Sequence, residues 1–207
     1  MKVELVAVTQ PAANQTLEAF LAYCGRICTK TVDRINNTND ARFLKARITQ
    51  GHESILEHAS ASFLIAQVSR TCLAQLTRHR LSSFSVESMR YAKDQDIYST
   101  TFPESLSSGF SYDIYTGAIE TAQQAYDALV NEGIPKEDAR MVLPLGVHTT
   151  LVMTSNFRQW RTFLKQRLQP AAQWEVRAVA NKILFLLNEH APNVFKDLNN
   201  DPHDSLN

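Results

Sequence analysis

The triplet Arg78-His79-Arg80, followed after seven residues by Ser88 and then by Arg90, concentrates the groups that bind phosphate. A guanidinium fork grips phosphate oxygens in pairs, and a serine hydroxyl adds a neutral hydrogen bond. Between residues 70 and 93, Arg70, Arg78, Arg80, Arg90 and Lys93 stand against a single acid, Glu87. The whole chain has a formal net charge of 0 and a pI near 7.0, so this positive field is local. It suits one or more ligands carrying several phosphates. A neutral chain offers no general attraction for nucleic acid or an anionic membrane.

A second stretch, His52-Glu53-Ser54-Ile55-Leu56-Glu57-His58, resembles a zinc-protease helix but has its histidines six apart. On a helix they diverge by about 240°, and on a strand they lie about 20 Å apart, so they do not share an ion. No metal site is expected. Read for themselves, these are polar residues in a loop released by Gly51. Further along, Arg140 reads as part of a short surface helix, Asn156 as a helix cap, Arg158 as a solvated residue and Arg167 as a cation complementing a helix end.

These residues need elements to hold them. Residues 2 to 9 alternate as a strand, and a helix follows, capped by Asn14 or Thr16, with Leu17, Phe20, Leu21, Cys24 and Ile27 or Cys28 along an apolar stripe. Cys24 and Cys28 read as small buried side chains. After the polar loop 34–39 a helix starts at Asp40 and stops at Gly51. Residues 59 to 69 read as a strand running into the helix RTCLAQLT, which leaves the arginine triplet exposed at the helix end. Ser85 to Tyr91 alternates, so Ser88 and Arg90 share one face of an extended segment. A long helix over 111–132 faces inward with Ile114, Ala118, Ala122, Ala125 and Leu129. Lys136 to Met141 forms a short helix, Val147 to Met153 a strand, and Phe157 to Leu168 and Gln173 to His190 the last long helices; the tail from Asn199 is loose. The mixed order without βαβ alternation predicts an α+β fold, a mixed or antiparallel sheet packed with several long helices, in a single domain over 1–207. No G-x-G-x-x-G follows a strand, so a dinucleotide would not use a Rossmann loop.

With 44% hydrophobic residues the chain is ordinary for a globular protein, and no apolar run approaches the roughly 20 residues of a membrane span. Its three cysteines have no metal-type spacing, which fits a cytoplasmic, reducing setting.

RHR-x7-S resembles the signature of the flavin-dependent thymidylate synthases, and Gly51-His52-Glu53-Ser54, with Glu57-His58, resembles that family's upstream motif. The similarity runs from about residue 15 to 190. It implies FAD held by Arg78, His79, Arg80, Ser54, Asn156 and Arg158, and dUMP held by Gln75, Glu87, Ser88, Arg90, Arg140 and Arg167. Arg140 lies in A-R-x-V-L-P-L, whose arginine reaches the nucleotide from a neighbouring subunit in relatives. His52 flanks flavin and folate, Arg167 polarises the pyrimidine carbonyl, and Ser88 binds and positions rather than attacks, since no base is evident beside it. The chain departs from the family at Ser85, Val86 and Glu87. The resemblance implies reductive methylation of dUMP with methylenetetrahydrofolate as carbon donor and NADPH-reduced FAD as hydride source, in a homotetramer with shared sites. Cys24, Cys28 and Cys72 lie in helix-like stretches rather than in the Pro-Cys setting of the cysteine-nucleophile thymidylate synthases. Alternative readings are a related flavin- and folate-dependent hydroxymethylase and a nucleic-acid-binding module using the Arg70 to Lys93 patch, for which Phe84 and Tyr91 are the nearby aromatics.

Overall fold

A computed structural model describes residues 1–12, 15–34, 37–90 and 100–199 of the chain. Asn14, Tyr91, Lys93 and the tail beyond Asn199 therefore lie outside the described residues. Four strands, β1 (Lys2–Val8), β2 (Ser60–Ser69), β3 (Ser83–Val86) and β4 (His148–Asn156), form one sheet in the order β1-β2-β4-β3. Neighbours run antiparallel, as the bonds Thr9 N to Ser60 O, Phe157 N to Ala59 O and Glu87 N to Thr150 O show. The helices are α1 (Leu17–Thr29), α2 (Asn37–Thr49), α3 (Arg70–Leu76), α4 (Gly109–Asn131), α5 (Lys136–Ala139), α6 (Phe157–Arg167), α7 (Trp174–His190) and α8 (Pro192–Phe195). This is the expected α+β class.

Strand β2 carries one irregularity that matters downstream. Ala61, Phe63 and Ile65 alternate inward, but Gln67 has φ +56° and the next buried pair is Val68 and Ser69. Ser62 faces Thr154 side chain to side chain, whereas Arg70 N bonds Val147 O, one residue out of that register. Gln67 is thus the extra residue of a β-bulge. Its effect is to turn Ser69 inward, where the hydroxyl accepts the Cys72 amide at 3.0 Å and caps α3.

By contact density the chain divides into two units, each built from several sequence segments. One comprises Val3–Leu64, His79–Phe84 and the residues from Val152 on. Its core is aromatic: Trp160 meets Phe63 and Phe163 edge-on with ring centroids 5.1 and 5.6 Å apart, and its indole N–H donates to Ala61 O at 3.1 Å. α1 begins at Thr16, whose hydroxyl accepts from the Ala19 amide. α1 turns Leu21, Ala22, Gly25 and Arg26 inward. Gly25 is needed there, because a Cβ would sit 2.7 Å from a Phe43 ring carbon. The cysteine expectation fails: Cys24 is only half-buried and Cys28 is exposed, because Phe43 and Asp40 draw the Gly25–Arg26 side of the helix inward. α2 starts at Asn37, three residues before the expected Asp40.

The other unit comprises Met1–Lys2, Ile65–Arg78 and Ser85–Leu151. Met89, Tyr126, Ala139 and Val147 form its cluster, with Leu129, Val130 and Leu143 against it. α4 ends at Gly133, φ +84°, as the sequence predicts. Its inward face differs from expectation: only Tyr126 is buried, while Ile114 is 58% exposed. Among the described residues no helix is long and apolar enough to cross a membrane.

Candidate active site

In the first unit, α6 organises the candidate flavin residues. Asn156 caps it, its carboxamide oxygen accepting the Gln159 amide at 2.8 Å. Arg158, Arg161 and Lys165 follow at spacings that place them along one side of the helix. They meet the two glutamates of the 52–58 segment, which are themselves four apart. Glu57 pairs with Arg158 at 2.5 Å, and Glu53 takes Arg161 at 3.2 Å and Lys165 at 3.0 Å. Burial alone would raise the Glu53 carboxyl, but Lys165 and Arg161 hold it below the usual range. Ile55 and Leu56 are buried between these anchors, on a 3₁₀ turn from Glu53 to His58 rather than an irregular loop. His52 and Ser54 are left exposed. Glu53, Glu57, Arg161 and Lys165 are therefore the fixture that presents His52 and Ser54. Composition showed them only as ordinary charges, since their partners lie about a hundred residues away in sequence.

The arginine triplet is not uniformly exposed. Arg78 and Arg80 are exposed, but His79 is 5% exposed, because its ring packs edge-on against Phe163 at 4.9 Å. Its Nε2 accepts a hydrogen bond from the Arg167 Nε–H at 3.0 Å. Burial first, and the Arg167 charge second, lower the His79 pKa from 6.5 to about 4. The neutral ring that results carries its proton on Nδ1.

A native histidine that resists protonation destabilises the fold in acid. The unfolded chain takes up this proton below about 6.5 and the native chain only near 4, so this contribution to stability is complete above about 6.5. It is lost as the pH falls through that interval. We expect one histidine to titrate by NMR near pH 4, and the unfolding free energy in urea to fall more steeply from pH 6.5 to 4 than in His79→Phe. Parallel curves for the two proteins would refute this.

The second unit holds the candidate nucleotide residues Gln75, Glu87, Ser88, Arg90 and Arg140, whereas Arg167 belongs to the first unit. Gln75 lies half-buried on α3. Glu87 is pinned to β4, its carboxylate accepting the Thr150 amide at 3.0 Å and its own amide donating to Thr150 O at 2.9 Å. That carboxylate is thus engaged within the chain. The expected extended face at 85–91 ends early: β3 stops at Val86, and the chain turns so that Ser88 Oγ accepts the Arg90 amide at 3.3 Å. Arg90 pairs with the Glu137 carboxylate at 2.8 Å, and Arg140 donates from Nε to the Glu137 carbonyl at 3.0 Å. One residue of α5 therefore gathers both arginines. Arg70 bonds the Glu87 carbonyl at 3.4 Å. Its burial, with Arg140's positive charge adding, lowers its pKa, while Glu87 opposes the shift. Serine, three guanidiniums and two carboxylates are held in one charged cluster.

The family described as thymidylate synthase complementing protein matches residues 5–193. A flavin-dependent thymidylate synthase of Geobacter sulfurreducens is 36% identical over 200 residues, covering 95% of this chain and 86% of the relative. One from Pyrococcus furiosus is 36% identical over 189 residues, covering 89% and 78%. In fold, the chain is similar to a crystal structure of a UMP/dUMP methylase from Streptomyces cacaoi bound with 5-Br dUMP, with a TM-score of 0.82, 24% identity and coverage of 94% of this chain and 93% of that one. With a family match over residues 5–193 and 36% identity to relatives over most of both chains, the chain belongs to the flavin-dependent thymidylate synthase family.

Proposed function

We propose that the chain methylates dUMP to dTMP, using FAD as cofactor and NADPH and methylenetetrahydrofolate as co-substrates. The observation that supports this reading is that Glu137 gathers Arg90 and Arg140, with Ser88 on the turn that leads into Arg90, in a chain whose family match spans residues 5–193. Replacing the C5 proton of uracil by methyl needs a one-carbon unit and a hydride, and FAD reduced by NADPH supplies the hydride that no side chain can.

The donor set fits a flavin dinucleotide. Arg78 and Arg80 are exposed cations with no partner among the described residues, as a diphosphate requires, and His52 and Ser54 are exposed donors. On this reading Arg78, His79, Arg80, Ser54, Asn156 and Arg158 serve FAD, although Asn156 and Arg158 also hold α6 as described. Gln75, Ser88, Arg90 and Arg140 serve dUMP, and Glu87 orders the turn that carries Ser88. Arg167 stabilises charge developing on the pyrimidine carbonyl, and His52 flanks flavin and folate.

Assembly as a homotetramer is supported by apolar side chains left open in the second unit: Phe110, Ile114, Met141 and Leu145 are 79%, 58%, 82% and 68% exposed. Cys24, Cys28 and Cys72 form no disulfide, which suits a reducing cytoplasm.

The deciding experiment is tritium release from C5-labelled dUMP with FAD, NADPH and methylenetetrahydrofolate, followed by identification of the product. Release with dTMP formed is expected; no release sinks the reading, and a hydroxymethyl product replaces it with the related hydroxymethylase. In the same assay Ser88→Ala should keep turnover within about tenfold of wild type while raising KM for dUMP, as loss of one binding hydrogen bond predicts. Complete loss with intact dUMP binding would instead make Ser88 a reacting group.

A further inference from the structure

We propose that the Glu137 carboxylate is a stand-in for the nucleotide phosphate: it holds Arg90 in the unliganded chain and gives way when the phosphate of dUMP or dTMP arrives. The inference rests on the thymidylate synthase reading for the identity of the nucleotide; the ion pair itself is independent of it.

Three observations carry it. First, Glu137 Oε2 lies 2.8 Å from Arg90 Nε, so a carboxylate oxygen sits where a guanidinium receives an anionic ligand. The main chain of the same residue accepts from Arg140 Nε at 3.0 Å, so one residue holds both arginines by different atoms. Second, the two carboxylates of this cluster are held differently. Glu87 is tied to β4 through the Thr150 amide at 3.0 Å. The Arg90 and Glu137 side chains are 53% and 47% exposed, so solvent screens their pair and it contributes little to the fold. Glu137 is the carboxylate that a ligand can displace. Third, Ser88 Oγ accepts the Arg90 amide at 3.3 Å, which ties the backbone beneath Arg90 to its own turn. The side chain can change its anionic partner while that turn stays in place.

Charge decides which anion wins. A phosphate monoester brings about −1.5 to −2 and three strong acceptor oxygens, against a single charge on a carboxylate. Deoxyuridine has the same base and sugar but nothing that competes for Arg90. Product dTMP carries the same phosphate as dUMP, so the returning carboxylate opposes both equally. Glu137 thereby weakens nucleotide binding and speeds the exchange of product for substrate.

The test uses the full chain loaded with FAD. Glu137→Gln removes the charge but keeps the side-chain length and the carbonyl that holds Arg140. By calorimetry it should tighten dUMP and dTMP about two- to fivefold, the most that an exposed ion pair withholds. Release of dTMP should slow by a similar factor, and binding of deoxyuridine should not change. In an Arg90→Ala background the same substitution should have no effect on dUMP affinity, since no pair is left to break. With ¹⁵N-labelled arginine, dUMP should move the Arg90 Nε–H resonance of wild type and deoxyuridine should not. Unchanged or weaker dUMP binding by Glu137→Gln overturns the inference. So does equal tightening of dUMP and deoxyuridine, or tightening that persists without Arg90, which would make Glu137 a source of general repulsion. An Arg90 resonance unmoved by bound dUMP overturns it as well. If wild type binds no dUMP, the thymidylate synthase reading fails; inorganic phosphate is then the probe, and an Arg90 resonance that it leaves unmoved overturns the displacement.

Discussion

Arg161→Met should destabilise this protein far more than any other single charge removal on α6. Arg161 is 1% exposed and donates to Asp197 through both terminal nitrogens at 2.7 Å, to Glu53 through Nε at 3.2 Å and to the Val194 carbonyl. Burial would lower its pKa, but Asp197 and then Glu53 raise it. Methionine fills much of the volume and satisfies none of these acceptors. Glu53 is left with Lys165 alone, and the Val194 carbonyl is stranded in the interior. Breaking a buried ionic network by removing one partner costs about 3–5 kcal/mol. At about 2–4 °C per kcal/mol for a chain of this size, the melting temperature should fall by roughly 6–20 °C.

The control is Arg158→Met, three residues earlier on the same helix. Its pair with Glu57 is tighter at 2.5 Å, but the two side chains are 51% and 46% exposed. Solvent screening limits such a pair to about 0–1 kcal/mol. Thermal and urea unfolding of the two variants measure the difference. Equal losses would mean that burial does not decide what these pairs contribute. Arg161→Met should also loosen the 52–58 segment, because Glu53 is the anchor next to His52 and Ser54, whereas Arg158→Met should leave that anchor in place.

What the sequence made legible follows from locality. A capping side chain reaches only three residues, so the caps at Thr16 and Asn156 could be read directly and are present. The passage from strand to helix at Ser69 and Arg70 was visible because side-chain periodicity changes there, although the bulge at Gln67 that makes Ser69 a cap was not. Partners distant in the chain were illegible. Arg26 is buried by its pair with Asp40 at 3.4 Å and by the Phe43 ring 4.5 Å from its guanidinium carbon. Nothing local to residue 26 announces either. The same reason hid the two glutamates behind His52 and Ser54. It also explains His79: its neighbours in sequence are two exposed arginines, while the residues that bury it, Phe163 and Arg167, arrive from a helix more than eighty residues later. In α4 periodicity found an apolar stripe but could not say what covers it, and within the chain Ile114 stays open. Motif resemblance can name candidate site residues because it encodes spatial neighbours without needing to derive them.

Arg167→Leu should abolish most turnover while sparing the fold. Arg167 is half-buried at the end of α6, with Nε directed to His79 at 3.0 Å. Its contribution to the reaction, on the proposed function, is to meet negative charge that develops on the pyrimidine as C5 becomes nucleophilic. Removing one preorganised donor of this kind costs about 10²–10³ in rate. Leucine preserves the apolar stem and the helix propensity but supplies neither charge nor fork. The tritium-release rate at saturating dUMP should therefore drop by roughly two to three orders of magnitude, with KM for dUMP changing much less. On the proposed function Ser88, Arg90 and Arg140 would still bind the nucleotide, which is why the loss should fall on kcat. The melting temperature should fall by roughly 3–12 °C, since the bond to a neutral histidine contributes about 1.5–3 kcal/mol at most. A variant that lost dUMP affinity in proportion to rate would make Arg167 a uniform binder of substrate. One that kept wild-type rates would remove it from the chemistry and leave the His79–Arg167 contact as a support for the end of α6.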